Sequence, residues 1–437
     1  MELRLPRGMR DYPPEEKILR EEVVSLLKET FERYGFNPLE TPIVERWEVL
    51  AAKYAGGEEI LKETFRLRDQ GGRELGLRYE MTTSLARFVA LNPTRKRPLK
   101  LYQIGPVFRD GPIKRGRLRQ FWQCDVDTIG TKSLLADAEL LNLTLDFFSE
   151  LGLEVEIKLN NRKLLRDLIE PLVPPGLEPV SVILSLDKLE KIGPEGVAQE
   201  LREKGLREEI DRLLGLATIS GSNEERIARI RGMTESEGLQ EIEELFRYLD
   251  RPERDQVVFT PSLARGLAYY TGTVFEVYLK DKDKDRGLAS SLAAGGRYDD
   301  LIGRFVGTDE EIPAVGISFG LEPLMEAVKV KTSEIRSPRS KVEVFVIPIG
   351  TAAVEEGRAI AQRLRRAGLK TDMDLLSRGV SANLEYANAY GIPYALLVGP
   401  EELAQGKVKL RDMVSGEEEL LTVEGVIARL SRGQSSL

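Results

Sequence analysis

The chain has 437 residues, a net charge of −8, 41% hydrophobic and 31% charged residues, one cysteine and no histidine. These numbers predict a multidomain globular protein and exclude a Ser-His-Asp triad, an imidazole base, His-ligated zinc, an internal disulfide and a cysteine-cluster metal site. There is no apolar run of the roughly 18–20 residues that span a bilayer, and the opening Met1-Glu2-Leu3-Arg4-Leu5-Pro6-Arg7-Gly8 has no apolar signal core, so a reducing, cytoplasmic setting is expected.

In chain order, apolar Ile18, Val23, Leu26, Leu27 and Phe31 predict a helix over 14–34, ended by Gly35. A strand-like stretch follows at 36–44. The strip Arg78-Tyr79-Glu80-Met81-Thr82-Thr83 reads as a strand-to-helix junction, where an N-cap is the plain role. Residues 99–108 and 119–129 read as strands joined by a basic loop at 111–117, giving a long antiparallel hairpin. Five cations fall within 109–119. Beyond them the alternate residues Phe121, Gln123, Asp125 and Asp127 project onto one face. An aromatic plate, an amide and two carboxylates are an odd choice for a core, and Arg109 beside them suits a phosphate, because a guanidinium bonds two oxygens at once.

A helix is predicted at 133–151 and a strand at 154–159. Charged helices then fill 161–253, as at 188–205 and 236–249, and have the character of an insertion. Strand patterns return at 257–260, 274–279 and 314–319, followed by a helix at 321–330. Between them lie Arg265-Gly266-Leu267-Ala268-Tyr269-Tyr270-Thr271-Gly272, paired phenols flanked by glycines, and Ala294-Gly295-Gly296-Arg297-Tyr298-Asp299-Asp300, which reads as a Gly-Gly turn. The polar stretch 330–340 is a linker. After it a strand, helix, strand, helix, strand and hairpin over 342–421 predict a small, mostly parallel α/β domain.

Taken together, these strips resemble the histidyl-tRNA synthetases of class II, and the composition suggests an archaeal or thermophile type. The resemblance implies an α+β fold: an antiparallel-sheet catalytic domain with a helical insertion, plus a C-terminal α/β anticodon-binding domain. The implied boundaries are 1–160 and 256–330 for the catalytic parts, 161–255 for the insertion, 331–341 for the linker and 342–437 for the last domain. Pro42 falls where the family places an interface proline, implying a homodimer.

The resemblance further implies ATP with Mg²⁺ and, as partners, L-histidine and tRNA(His), with no membrane. Glu80 and Thr82, together with Gln123, would hold the histidine α-amino group, and Met81 would belong to the same histidine-binding set. Asp127 and Tyr270 would read the imidazole, with Tyr269 and Tyr298 closing the pocket. Arg109 and Arg265 would clamp the α-phosphate and carboxylate as the catalytic pair. Phe121, Asp110 and Arg119 would join Arg109 around ATP, and no protein-held metal is expected.

Three positions depart from the family pattern. Ala268 stands where an acid is usual, Pro323 where a phosphate-binding arginine is usual, and Asp110 follows Arg109 without a spacer. The helix at 381–390 also lacks lysines, leaving Lys407, Lys409 and Arg411 as the nearby cations. The alternative these departures support is a weakened paralogue acting as a histidine sensor or regulatory subunit.

Overall fold

The computed structural model describes residues 3–51, 61–113, 118–186, 188–216, 219–249, 255–264, 269–280, 291–306, 311–332 and 339–432. The basic loop at 114–117, the strip at 265–268 and the linker at 333–338 therefore lie outside the described residues. The chain forms two compact units, one of residues 1–10 and 24–331 and the other of residues 11–23 and 332–437.

The first unit is built on an eight-stranded sheet. Its strands are β1 (Asn37–Pro38), β5 (Leu99–Phe108), β6 (Gln120–Ile129), β7 (Val155–Asn161), β8 (Val257–Phe259), β9 (Thr273–Leu279), β10 (Ala293–Arg297) and β11 (Ala314–Gly320). Their order across the sheet is β1-β5-β6-β11-β10-β9-β7-β8. The five central pairings are antiparallel, and only the two edges, β1 on β5 and β8 on β7, are parallel. β2 (Val44–Arg46), β3 (Arg66–Arg68) and β4 (Glu74–Leu77) make a separate small sheet in the order β2-β4-β3. The stretch expected as one strand at 36–44 is thus split between two sheets.

One face of the large sheet is closed by aromatic packing. Phe319 of β11 sits 5.4 Å from Phe147 and 6.1 Å from Phe148, both on the helix Leu135–Glu150, and 5.8 Å from Phe31. These edge and tilted contacts each add about 0.5–1.5 kcal/mol beyond area burial. The helices between β7 and β8 have their own core of Leu165, Ile169, Ile183, Leu201, Ile210 and Leu213, with Ala264 packed into it.

The second unit holds a five-stranded sheet of β12 (Val344–Pro348), β13 (Thr371–Met373), β14 (Tyr394–Val398), β15 (Val408–Asp412) and β16 (Glu418–Leu421). The order is β13-β12-β14-β15-β16. The first three strands are parallel and the last two antiparallel, so this sheet is mixed rather than mostly parallel. One core gathers Val344, Val346, Ile360, Leu364, Leu396 and Val426. The alternate strand residues Phe345, Ile347 and Ala395 pack with Ala387 and Ile392 in a second, as expected of strands buried on both faces. No described helix is long and apolar enough to cross a membrane.

Candidate active site

A cavity of about 240 Å³ opens in the first unit, over the middle of the large sheet. Its floor exists because of glycine. The expected Gly-Gly turn is instead the central strand β10, hydrogen-bonded on both sides, with Gly295 opposite Ile317 and Gly296 opposite Gly316. A Cβ on Gly295 would lie 2.1 Å from the Gly316 carbonyl oxygen, and one on Gly316 would lie 1.8 Å from Asp127 Oδ1. A side chain at Gly316 would displace the Asp127 carboxylate on the cavity face, whereas one at Gly295 would meet Phe275 and Ile317 on the other face, so glycine lets the strands approach closely.

β6 supplies one wall. Its pleat aims Gln123, Asp125 and Asp127 into the cavity from alternate positions. Asp127 accepts the Tyr298 hydroxyl proton at 2.6 Å. Tyr269 lies 4.8 Å from Tyr270 and 6.0 Å from Tyr298 between ring centres, so three phenols enclose this end. Gln123 Nε2 donates to Ser318 Oγ at 2.7 Å.

Glu80 stands on the opposite wall, just before the helix Thr82–Ala90. Both of its oxygens accept backbone N–H groups of that helix's first turn, from Thr82 at 2.5 Å and Thr83 at 2.8 Å. These are the donors a helix leaves without internal partners, and a carboxylate also suits the positive end of the helix dipole. The capping role and the wall position coexist in one residue. Arg109 Nε donates to the Tyr79 carbonyl at 3.0 Å, and its guanidinium lies 5.1 Å from the centre of the Phe121 ring.

Burial sets the protonation of the acids. The Asp127 carboxyl is pushed up to about 7, first by loss of solvent and then by Glu80, while the Tyr298 hydrogen bond opposes the rise. Asp125 is pushed well above the usual carboxylate range, again first by burial and then by Asp127. Burial, followed by the Asp127 charge, likewise drives the Tyr298 phenol well above its ordinary value.

Of the residues singled out in the sequence, Glu80, Thr82, Arg109, Gln123, Asp127, Tyr269, Tyr270 and Tyr298 line the cavity. Met81 does not; it is fully buried and packs toward Gly105. Phe121, Asp110 and Arg119 are also outside the lining. Arg119 and Asp110 are paired with each other at 2.7 Å across the base of the hairpin. Arg265 and Ala268 fall among the residues not described. Pro323 occupies the first turn of the helix Leu321–Thr332, where its missing N–H costs no hydrogen bond.

Sequence reasoning missed Tyr79, Ile317 and Ser318 as lining residues, and placed Asp125 on the right face without giving it a role. The two-residue alternation of β6 was the available signal for Asp125, whereas Ser318 depends on the β6–β11 register. Arg297 has a structural place. It forms an ion pair with buried Asp137, donates to the Thr131 carbonyl at 3.0 Å, and reaches Asp299 at 3.4 Å. Burial works against its charge, but the two carboxylates outweigh that and raise its proton affinity.

Known proteins match this chain over nearly its whole length. The histidyl-tRNA synthetase family matches residues 8–324, and the anticodon binding domain family matches residues 343–432. Histidine--tRNA ligase 1 of Bacillus cereus is 43% identical over 438 residues, spanning 99% of both chains. Histidine--tRNA ligase 1 of Bacillus anthracis is 44% identical over 423 residues, 96% of this chain and 97% of the other. The crystal structure of histidyl-tRNA synthetase from Nostoc sp. PCC 7120 superposes with a TM-score of 0.85 at 30% identity, covering 99% of each chain. These relatives are bacterial, so the expected archaeal or thermophile type finds no support in them. A family match over most of the chain, with a full-length relative at 43% identity, places this protein in the histidyl-tRNA synthetase family.

Proposed function

We propose that the cavity over β6, β10 and β11 is where this histidine–tRNA ligase binds and activates its amino acid. The observation that carries the reading is the Asp127–Tyr298 pair, a buried carboxylate and phenol enclosed by Tyr269 and Tyr270. It offers a fixed acceptor to an N–H of a flat, polar ring. Glu80, Thr82 and Gln123 lie toward the α-amino group. Arg109, steadied by the Tyr79 carbonyl and Phe121, faces the carboxylate and the α-phosphate. Arg265, by the family resemblance, would supply the second cation toward the phosphate.

The reaction these residues serve has two displacements. A histidine carboxylate oxygen attacks the α-phosphorus of ATP and pyrophosphate leaves, giving histidyl-adenylate. A terminal ribose hydroxyl of tRNA(His) then attacks the acyl carbon and AMP leaves. Neither displacement needs a histidine side chain in the enzyme. Positioning and preorganised positive charge supply the acceleration.

ATP would reach Phe121 for stacking and Arg119 for charge. Among the described residues no group of three or more His, Cys, Asp or Glu side chains could hold a metal. Mg²⁺ would arrive on the ATP phosphates with its own waters. The catalytic domain comprises 1–160 and 256–330, the helical insertion 161–255, the linker 331–341 and the anticodon-binding domain 342–437. The protein works as a cytoplasmic homodimer. Retention of the anticodon-binding module supports a working ligase over a histidine sensor.

Pyrophosphate exchange on purified protein tests the reading. Exchange that depends on histidine is expected, and a folded protein with none above background, or with another amino acid preferred, would sink it.

A further inference from the structure

We propose that Asp125 is a binding residue for the α-ammonium of the amino-acid substrate, completing with Glu80 and Gln123 a cradle of three acceptors. The proposal rests on the functional reading given above.

Asp125 lines the cavity although it is only 4% exposed, and its Oδ1 has no hydrogen-bond partner among the described residues. A buried carboxylate oxygen without a donor is costly in a folded protein and calls for an explanation. A side-chain hydrogen bond from Ser318 serves the carboxylate, yet Oδ1 stays open. Arg78, whose charge acts on Asp125, directs its guanidinium to the Pro106 carbonyl at 2.9 Å and the Thr41 carbonyl at 3.0 Å. Ser318, opposite Asp125 in the register, accepts from Gln123 Nε2 and keeps its own proton for the Asp125 carboxylate, whose charged form it favours. Gln123 Oε1 is the second open acceptor in the same wall. Glu80 provides the third, its oxygens already each holding one backbone N–H but keeping a free lone pair.

An ammonium has three N–H donors and no acceptor. Three convergent acceptors, two of them carboxylates, match it in number and in charge. Position along β6 agrees. Asp125 stands between Gln123, on the Arg109 side, and Asp127, at the phenol end. Successive inward residues are about 6.6 Å apart along a strand. A ligand whose ring meets Asp127 therefore brings its α-carbon, one side chain away, to Asp125. Without the ligand, burial and the Asp127 charge favour protonated Asp125, which makes an empty pocket tolerable.

The test compares wild type with Asp125→Asn and Asp125→Ala. The probes are histidine in pyrophosphate exchange, histidinol as an inhibitor that keeps ring and amine, and 3-(imidazol-4-yl)propionate, which keeps ring and carboxylate but lacks the amine. The histidine KM and the histidinol inhibition constant should rise about 10–100-fold, the scale of one charge-assisted hydrogen bond. The ATP KM and the inhibition constant of the amine-free analogue should stay within about twofold.

Parallel weakening of the amine-free analogue, or no change with any probe, overturns the proposal. Absence of wild-type exchange overturns the functional reading and this proposal with it, whereas normal wild-type exchange with unchanged variants overturns this proposal alone. Should the variants not fold, a wild-type structure with histidinol decides: an α-nitrogen more than about 3.5 Å from Asp125 Oδ1 refutes the assignment.

Discussion

Tyr298 donates its hydroxyl proton to Asp127 at 2.6 Å inside a wall of buried groups, and this bond is what opposes full neutralisation of the carboxyl. With Asp127 titrating at about 7, kcat/KM for histidine should climb through neutral pH and level off above it, since the carboxylate is the form that accepts an N–H. Tyr298→Phe removes the opposing bond and should move the inflection to higher pH. An unmoved inflection would show that another group controls the profile.

The same acid predicts a cost to stability. Its folded value lies above the unfolded 3.8, so the ligand-free protein should lose stability as pH rises from about 4 to about 7, with no further change from this group beyond that. Asp127→Asn should therefore raise the melting temperature by several degrees at pH 8 but not at pH 4, while reducing histidine activation about 10²-fold or more. Melting curves at the two pH values check the sign.

Gly316→Ala places a methyl group 1.8 Å from the present position of Asp127 Oδ1. The carboxylate must swing away, so kcat/KM for histidine should fall about 10²-fold, a loss typical of a displaced ligand group, with the ATP KM little changed. Gly295→Ala meets the Gly316 carbonyl instead of a movable side-chain end, and should destabilise the fold by about 1–3 kcal/mol, as overpacking does. Denaturant titration separates the two.

Arg297 and Asp137 form a buried ion pair, with side chains 5% and 0% exposed. Removing either partner alone leaves an uncompensated buried charge, and Asp137→Ala should cost about 3–5 kcal/mol. Replacing both with apolar residues of similar volume should recover much of that loss. A double-mutant cycle measures the difference.

Arg265→Ala should leave histidine binding mostly intact and slow adenylate formation by about 10²–10³-fold, the scale for losing a preorganised charge donor. Single-turnover formation of histidyl-adenylate, with histidine affinity measured separately, checks it. Unchanged turnover would make Arg265 structural only.

The sequence by itself carried the family strips, the hairpin of β5 and β6 and the strand order along the chain in the second unit. β5 spans the expected 99–108, and β6 starts one residue inside the expected 119–129. Ten-residue runs with strand periodicity and a basic loop between them are local signals, so they survive without tertiary information. The strand β10 was hidden because Gly295 and Gly296 carry a turn signature, and only pairing on both sides makes them a cavity floor. The burial that lifts Asp127 to about 7, the Arg297–Asp137 pair across 160 residues and the unpartnered Asp125 oxygen are likewise products of packing. Desolvation and hydrogen-bond accounting depend on which distant segments meet. Residue type and spacing therefore identified the chemistry, while the assembled sheet decided which of those residues face a ligand and in what charge state.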